Sequence, residues 1–276
     1  MIKVAFQGER GAYSEIAAIK YFEKKVSFSS TLTFNEVFDK IRKRSVDYGI
    51  VPIENSLYGS VYETYDLLIK YSFHIAGECN LQIRHNLLAK KKLKMSEIRE
   101  IYSHPQALGQ CSEFLKKMAN SKIFPSYDTA GSANIINASN SPFAIIASKE
   151  AAAIYNLKIL RRNIQNNVDN FTRFLILGKL SNKKYFDKPK SSICFELKSI
   201  PGALFKALSV FALRDIDLLK IESRPIPHKP FQYLFYIDFK GDLKNERIKQ
   251  AINHLSEISL SIKKFGTYET GKIFYS

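Results

Sequence analysis

Two stretches concentrate side chains able to hold and transform a charged substrate. One is Glu54-Asn55-Ser56-Leu57-Tyr58-Gly59-Ser60, which follows a strand pattern, where open α/β sheets bind ligands. Asn55 offers both a donor and an acceptor. Ser56, Gly59 and Ser60 could let backbone N–H groups approach an anion ahead of the next helix. Glu54 fits either catalysis or a turn cap. The other stretch is Asp169-Asn170-Phe171-Thr172-Arg173-Phe174. Arg173 is a fixed cation able to clamp a carboxylate through two parallel bonds. It fits a structural ion pair equally, because strand side chains alternate and Thr172 and Arg173 should face opposite ways. Thr172 carries a hydroxyl, a very weak acid unless a neighbour assists it. Without other signals it is an ordinary strand residue before Phe174-Leu175-Ile176-Leu177. Gln106 stands at a helix start, after His104-Pro105. Thr129 and Ser132 open another helix, as hydroxyl donors to a carboxylate or as plain N-caps.

Other chemistries have no foothold. The chain lacks Gly-x-Gly-x-x-Gly, a P-loop lysine, His-Glu-x-x-His and Gly-x-Ser-x-Gly. Cys79, Cys111 and Cys194 are scattered and odd in number, which argues against disulfides and zinc and for reduced thiols in a cytoplasmic protein. The net charge of +16 raises nucleic-acid binding. Its spread weakens that reading: +7 falls in residues 181–276 and +9 in the remainder. A diffuse basic surface favours encounter with an anionic substrate. No apolar run is long enough to cross a bilayer, and the N-terminus enters a strand at once, leaving no room for a signal peptide.

The elements that must position these residues alternate. Strand-like runs at 3–6 and 48–53 and amphipathic helices at 13–22, 33–41 and 61–69 predict a parallel sheet with helices on both faces. Thr33, with Glu36 three residues later, reads as an N-cap. Strands at 100–103, 122–125 and 143–147 and helices at 105–118, 129–138 and 148–155 continue the pattern. An extended stretch, 73–88, lies between the halves, so two lobes with a cleft between them are expected. A polar boundary at 180–190 separates this domain, 1–180, from residues 191–276. There, strands at 191–197, 218–224, 233–239 and 258–265 and helices at 202–213 and 243–255 give β-α-β-β-α-β, the split ferredoxin-like order.

Five segments in order resemble prephenate dehydratase: Gln7-Gly8-Glu9-Arg10-Gly11-Ala12-Tyr13-Ser14, Pro52 to Gly59, Ser103-His104-Pro105-Gln106-Ala107-Leu108, Thr129-Ala130-Gly131-Ser132, and Asp169 to Phe174. Pro201-Gly202-Ala203-Leu204 and Ile221-Glu222-Ser223-Arg224-Pro225 resemble an ACT domain. The resemblance covers nearly the whole chain. It implies a two-lobed α/β catalytic domain of the type II periplasmic-binding-protein kind, followed by a ferredoxin-like regulatory domain. It also implies the activity: decarboxylation and dehydration of prephenate to phenylpyruvate in phenylalanine biosynthesis, with no cofactor and no metal.

Thr172 would be the proton donor to the departing hydroxide, with Arg173, Glu54, Asn55 and Gln106 around the reaction. Ser56, Gly59, Ser60, Thr129, Ser132 and Phe174 would contact substrate. Gly202, Ala203, Leu204, Glu222, Ser223 and Arg224 would bind phenylalanine as a feedback effector at a subunit interface, in a homodimer or homotetramer. Phe205, where the family often has Val, could narrow that pocket. Two rivals remain: arogenate dehydratase, running the same chemistry on the amino analogue, and a non-catalytic ligand sensor. No chorismate mutase segment precedes Met1, so a monofunctional enzyme is expected, with neither nucleic acid nor membrane as partner.

Overall fold

The computed structural model describes residues 1–23, 26–126, 142–178 and 185–275. The helix expected over 129–138, with Thr129 and Ser132, lies outside the described residues. The chain divides into two compact units, one of residues 1–60, 80–174 and 273–276, the other of 61–79 and 175–272.

The first unit opens with β1 (Ile2–Gln7), α1 (Tyr13–Phe22), β2 (Val26–Thr31), α2 (Phe34–Arg42) and β3 (Tyr48–Asn55). β1 pairs in parallel with β2 and β3, as β-α-β connections require. Val4, Ala5 and Phe6 are fully buried. α2 starts where its sequence signals: Thr33 accepts the Glu36 N–H at 3.2 Å, and Glu36 reaches back to the Leu32 N–H at 3.1 Å. Val37, Phe38 and Ile41 form its buried stripe. Gly49 in β3 faces that stripe; a Cβ there would meet Ile41 and Val37 side-chain carbons at 2.6 and 2.7 Å. A two-residue strand, β4 (Gly59–Ser60), folds back antiparallel on β3.

Past β5 (His74–Gln82), the chain enters a second sheet at β6 (Asn86–Ala89). That sheet adds β7 (Glu100–Ser103), β8 (Lys122–Pro125), β9 (Phe143–Ala147) and β10 (Lys158–Arg161), in the order β10-β6-β9-β7-β8. Its core gathers Leu87, Ile98, Ile101, Cys111, Leu115 and Ile146. The helix expected over 105–118 is two helices, α4 (Pro105–Gln110) and α5 (Ser112–Lys116). Asn166, from the returning chain, explains the break. Its N–H bonds the Gln110 carbonyl at 2.7 Å, and its side chain accepts the Glu113 N–H at 3.1 Å and donates to Ser112 Oγ at 2.9 Å. α6 (Lys149–Ile154) is capped by Ser148. The chain then returns to β11 (Phe171–Gly178), which lies beside β3 in the order β11-β3-β1-β2.

The second unit holds β12 (Pro189–Leu197), α7 (Ala203–Ala212), β13 (Leu218–Ile226), β14 (Lys229–Lys240), α8 (Glu246–Ile258) and β15 (Ser259–Glu269). Their sheet runs β13-β14-β12-β15, the ferredoxin-like arrangement expected from the element order. Its core includes Ile193, Phe195, Phe211, Ile237, Phe239 and Leu255. α3 (Tyr62–Tyr71) belongs to this unit: Tyr236 Oη donates to the Tyr65 carbonyl at 2.7 Å, Arg224 clamps Asp66, and Lys263 Nζ donates to the Ile69 carbonyl at 2.7 Å.

Candidate active site

The end of β3 and the start of β11 lie side by side, and their side chains pair across the gap. Asn55 meets Thr172: Nδ2 donates to Thr172 Oγ1 at 3.0 Å. Glu54 meets Arg173, with Oε2 and Nη2 3.1 Å apart. Successive side chains on a strand point to opposite faces, so the amide–hydroxyl pair and the ion pair occupy opposite faces. The fixed charge of Arg173 is thus directed to Glu54. Ser56 locks the register: its N–H donates to the Phe171 carbonyl, its Oγ accepts the Phe171 N–H, and its Oγ–H donates to the Asp169 carbonyl.

Asn55 is 4% exposed, and its orientation is fixed by the backbone. Oδ1 accepts the N–H groups of Leu57 and Tyr58 at 3.0 and 3.1 Å. Nδ2 must therefore face away from them, and it donates to Asn170 Oδ1 at 2.8 Å as well as to Thr172. Thr172 Oγ1 is an acceptor in this arrangement, so its own hydrogen remains available to donate. An alkoxide formed there would face an N–H already in place, which lowers the cost of giving the proton up.

The other expected residues are placed unevenly. Gln106 is exposed at the start of α4, where its N–H donates to His104 Nδ1 at 3.2 Å. One turn later Gln110, 6% exposed, enters the Thr172 network instead: Oε1 accepts from Asn170 Nδ2 at 2.9 Å and lies 2.6 Å from His85 Nε2. Phe174 is 2% exposed, a core side chain two residues along β11 from Thr172. Gly59 is exposed with φ +76°, a left-handed conformation that suits glycine, and Ser60 pairs with Glu54 across the β3–β4 turn.

Gln110, Asn170, His85 and Tyr13 are the members that reasoning from sequence did not single out. Gln110 carried a signal, since it lies four residues after Gln106 and shares its helix face. His85 carried none, since it lies between Arg84 and Asn86 in a crossing that is about half polar. The loop before α1 is also fixed: buried Glu15 accepts the Gly11 N–H at 2.6 Å and Arg10 Nε at 2.8 Å, and Ser148 Oγ donates to the Gly11 carbonyl at 2.7 Å.

Burial pushes the thiols of Cys79, Cys111 and Cys194 up to about 12, so none is a thiolate nucleophile at neutral pH. Among the described residues no cluster of metal-ligand type occurs, and no helix is long and apolar enough to cross a membrane.

In the second unit, a cavity of about 330 Å³ is lined by Ile200, Pro201, Ala203, Leu204, Phe231 and Tyr233 among others. Gly202, with φ +75°, begins α7 beside it. Phe205 is 76% exposed and is not part of the lining. On β13, Arg224 is held by both carboxylate oxygens of Asp66 at 2.9 and 2.8 Å and lies over the Tyr62 ring at 4.5 Å. Glu222 lies 3.6 Å from Lys220 Nζ, and Ser223, between Glu222 and Arg224 along the strand, is in register with Phe235.

Comparison with known proteins bears on this geometry. Arogenate dehydratase/prephenate dehydratase 2, chloroplastic, of Arabidopsis thaliana is 41% identical over 97% of this chain and 72% of its own length. A prephenate dehydratase of Arthrobacter aurescens, solved in complex with L-Phe, superposes with a TM-score of 0.88 at 28% identity, covering 97% of this chain and 90% of its own. A protein described as a novel type of quorum quenching acylase, GqqA, superposes equally well, at 26% identity over 98% of both chains. Residues 4–182 match the family model for prephenate dehydratase, and the chain belongs to that family.

Proposed function

We propose that the protein is a carbon–oxygen lyase that converts prephenate to phenylpyruvate. The observation that carries this reading is the Asn55–Thr172 hydrogen bond, whose direction the Leu57 and Tyr58 N–H groups fix. Prephenate carries a ring carboxylate, a pyruvyl carboxylate and a hydroxyl on the far ring carbon. The bond from the ring to its carboxylate breaks and releases CO2. Its electron pair moves through the ring and expels the hydroxyl group, which takes the Thr172 proton and leaves as water. Thr172 then recovers a proton from solvent. Aromatisation drives the reaction, so the protein's tasks are to position the ring and protonate a poor leaving group.

A fold shared with a protein described as an acylase shows that architecture alone does not select this reaction. The Thr172 geometry supports the choice. Arogenate is the second reading, favoured by the names of several relatives. Steady-state rates on both substrates, with phenylpyruvate and phenylalanine as the products followed, decide between them. Absence of turnover on either would overturn the dehydratase reading.

Phenylalanine is the proposed effector, bound at the α7 cavity of an ACT domain. Support comes from the ferredoxin-like topology, the cavity, and the solved relative in complex with L-Phe. A homodimer or homotetramer in the cytoplasm completes the reading.

A further inference from the structure

The hydrogen bonds behind Thr172 continue well past Asn55, through four buried side chains. Asn55, Asn170, Gln110 and His85 are 4, 0, 6 and 2% exposed. Direction propagates from the Leu57 and Tyr58 N–H groups. They hold Asn55 Oδ1, so Asn55 Nδ2 donates to Asn170 Oδ1. Asn170 must then present Nδ2 to Gln110 Oε1. An amide oxygen only accepts, so the His85 Nε2 that approaches it at 2.6 Å carries a hydrogen. Burial pushes the His85 pKa down to about 4, so the ring is neutral and Nδ1 is free of hydrogen. Nδ1 lies 3.0 Å from Tyr13 Oη, whose one hydrogen is donated to the Arg84 carbonyl at 2.7 Å.

Reversal of the chain at His85 would not be local. The other tautomer would require Gln110 to turn its Nε2 toward the ring. Gln110 would then lose the bond from Asn170, or force Asn170 to turn and set its Nδ2 against that of Asn55. The chain also bridges the two sheets of the first unit: Tyr13 lies on α1, His85 on the outward crossing, Gln110 on α4 and Asn170 on the return.

We propose that His85 is a positioning residue for Thr172, and that its Nε2–H tautomer holds the amide chain in the direction that leaves an N–H on Thr172 Oγ1. His85 is linked to Thr172 through Gln110, Asn170 and Asn55. The effect on turnover rests on the dehydratase reading, whereas the tautomer does not.

The test uses the full-length protein labelled with 15N at histidine. The His85 signals, identified by their displacement in Tyr13→Phe and their loss in His85→Phe, should show a neutral ring with hydrogen on Nε2 alone at neutral pH. A hydrogen on Nδ1, in either the other tautomer or an imidazolium, would overturn the proposal. In kinetics, His85→Phe should lower kcat about tenfold, as expected for one lost buried hydrogen bond, with KM within about twofold. His85→Gln, which offers an amide N–H near the Nε2 position, should recover most of that loss. Equal kcat in the two variants, or a loss confined to KM, would also overturn it. A wild-type protein inactive on both substrates would defeat the dehydratase reading, and the tautomer measurement would still decide the chain.

Discussion

At the scale of single residues, the site depends on which atom of Asn55 faces Thr172. Asn55→Asp tests this with almost no change of shape. The carboxylate keeps one oxygen for the Leu57 and Tyr58 N–H groups, but sets the other where Nδ2 now donates. Thr172 would then donate to that oxygen and lose its availability to the leaving group. The expected loss of kcat is about 10²-fold, the scale of removing one donor from a developing oxyanion. Far-UV circular dichroism should be unchanged. Retention of near-normal turnover would show that the amide's direction is irrelevant. His85 has a separate consequence for stability. Its folded pKa is pushed down to about 4 by burial, while the unfolded chain titrates near 6.5. Between those values the unfolded chain binds the extra proton, so the stability associated with neutral His85 is complete near pH 7 and is lost as pH falls toward 4. Denaturant titrations should show a loss of roughly 2 kcal/mol between pH 7 and pH 5 that is absent from His85→Phe. Equal losses in both proteins would contradict the buried neutral ring.

Elements position these residues through close approaches that few side chains permit. Gly11 has φ +85°, and a Cβ there would lie 2.8 Å from the Ala151 Cα in α6. Gly11→Ala combines a strained backbone with a clash against helix backbone, and should cost at least ~2 kcal/mol in denaturant titration. A neutral result would mean that the loop and α6 separate freely. Much of this level was legible in the sequence. Residues 13–22 carry a helical period and form α1; Thr33 with Glu36 signals the N-cap that is found; 100–103, 122–125 and 143–147 are strands as read. β2 was missed because Val-Ser-Phe-Ser-Ser-Thr is half serine, and β10 because Lys-Ile-Leu-Arg is four residues with polar ends. The break between α4 and α5 was illegible for a different reason: its cause is Asn166, more than fifty residues away. The same holds at the site. Thr172 and Asn55 could be named from their motifs, but the turn of each amide depends on tertiary neighbours that no spacing reveals.

On the scale of the whole molecule, the +16 charge suits a dianionic substrate and gives the encounter rate a salt dependence. The proposed control by phenylalanine is a matter of linkage. The effector lowers activity only if it binds the less active arrangement more tightly. Whatever factor phenylalanine imposes on binding of a substrate analogue, the analogue must impose on phenylalanine; couplings of this kind are typically about 5–150-fold. Calorimetry in both orders should return equal factors, and unequal ones would rule out a simple two-site equilibrium. Phe205, exposed and outside the lining of the α7 cavity, is no obstacle to binding there. Ala203→Leu fills part of that cavity and should weaken phenylalanine at least about tenfold. Unchanged affinity would place the amino acid elsewhere.

The proposed role of Thr172 is to give its proton to the departing hydroxyl group. Single-turnover measurement of phenylpyruvate formation from prephenate by Thr172→Ala, beside the wild-type protein, tests it most directly. Loss of positioned acid catalysis predicts a fall of roughly 10²–10⁴-fold with folding intact. A variant that keeps more than about a tenth of the wild-type rate would mean that Thr172 is not the proton donor.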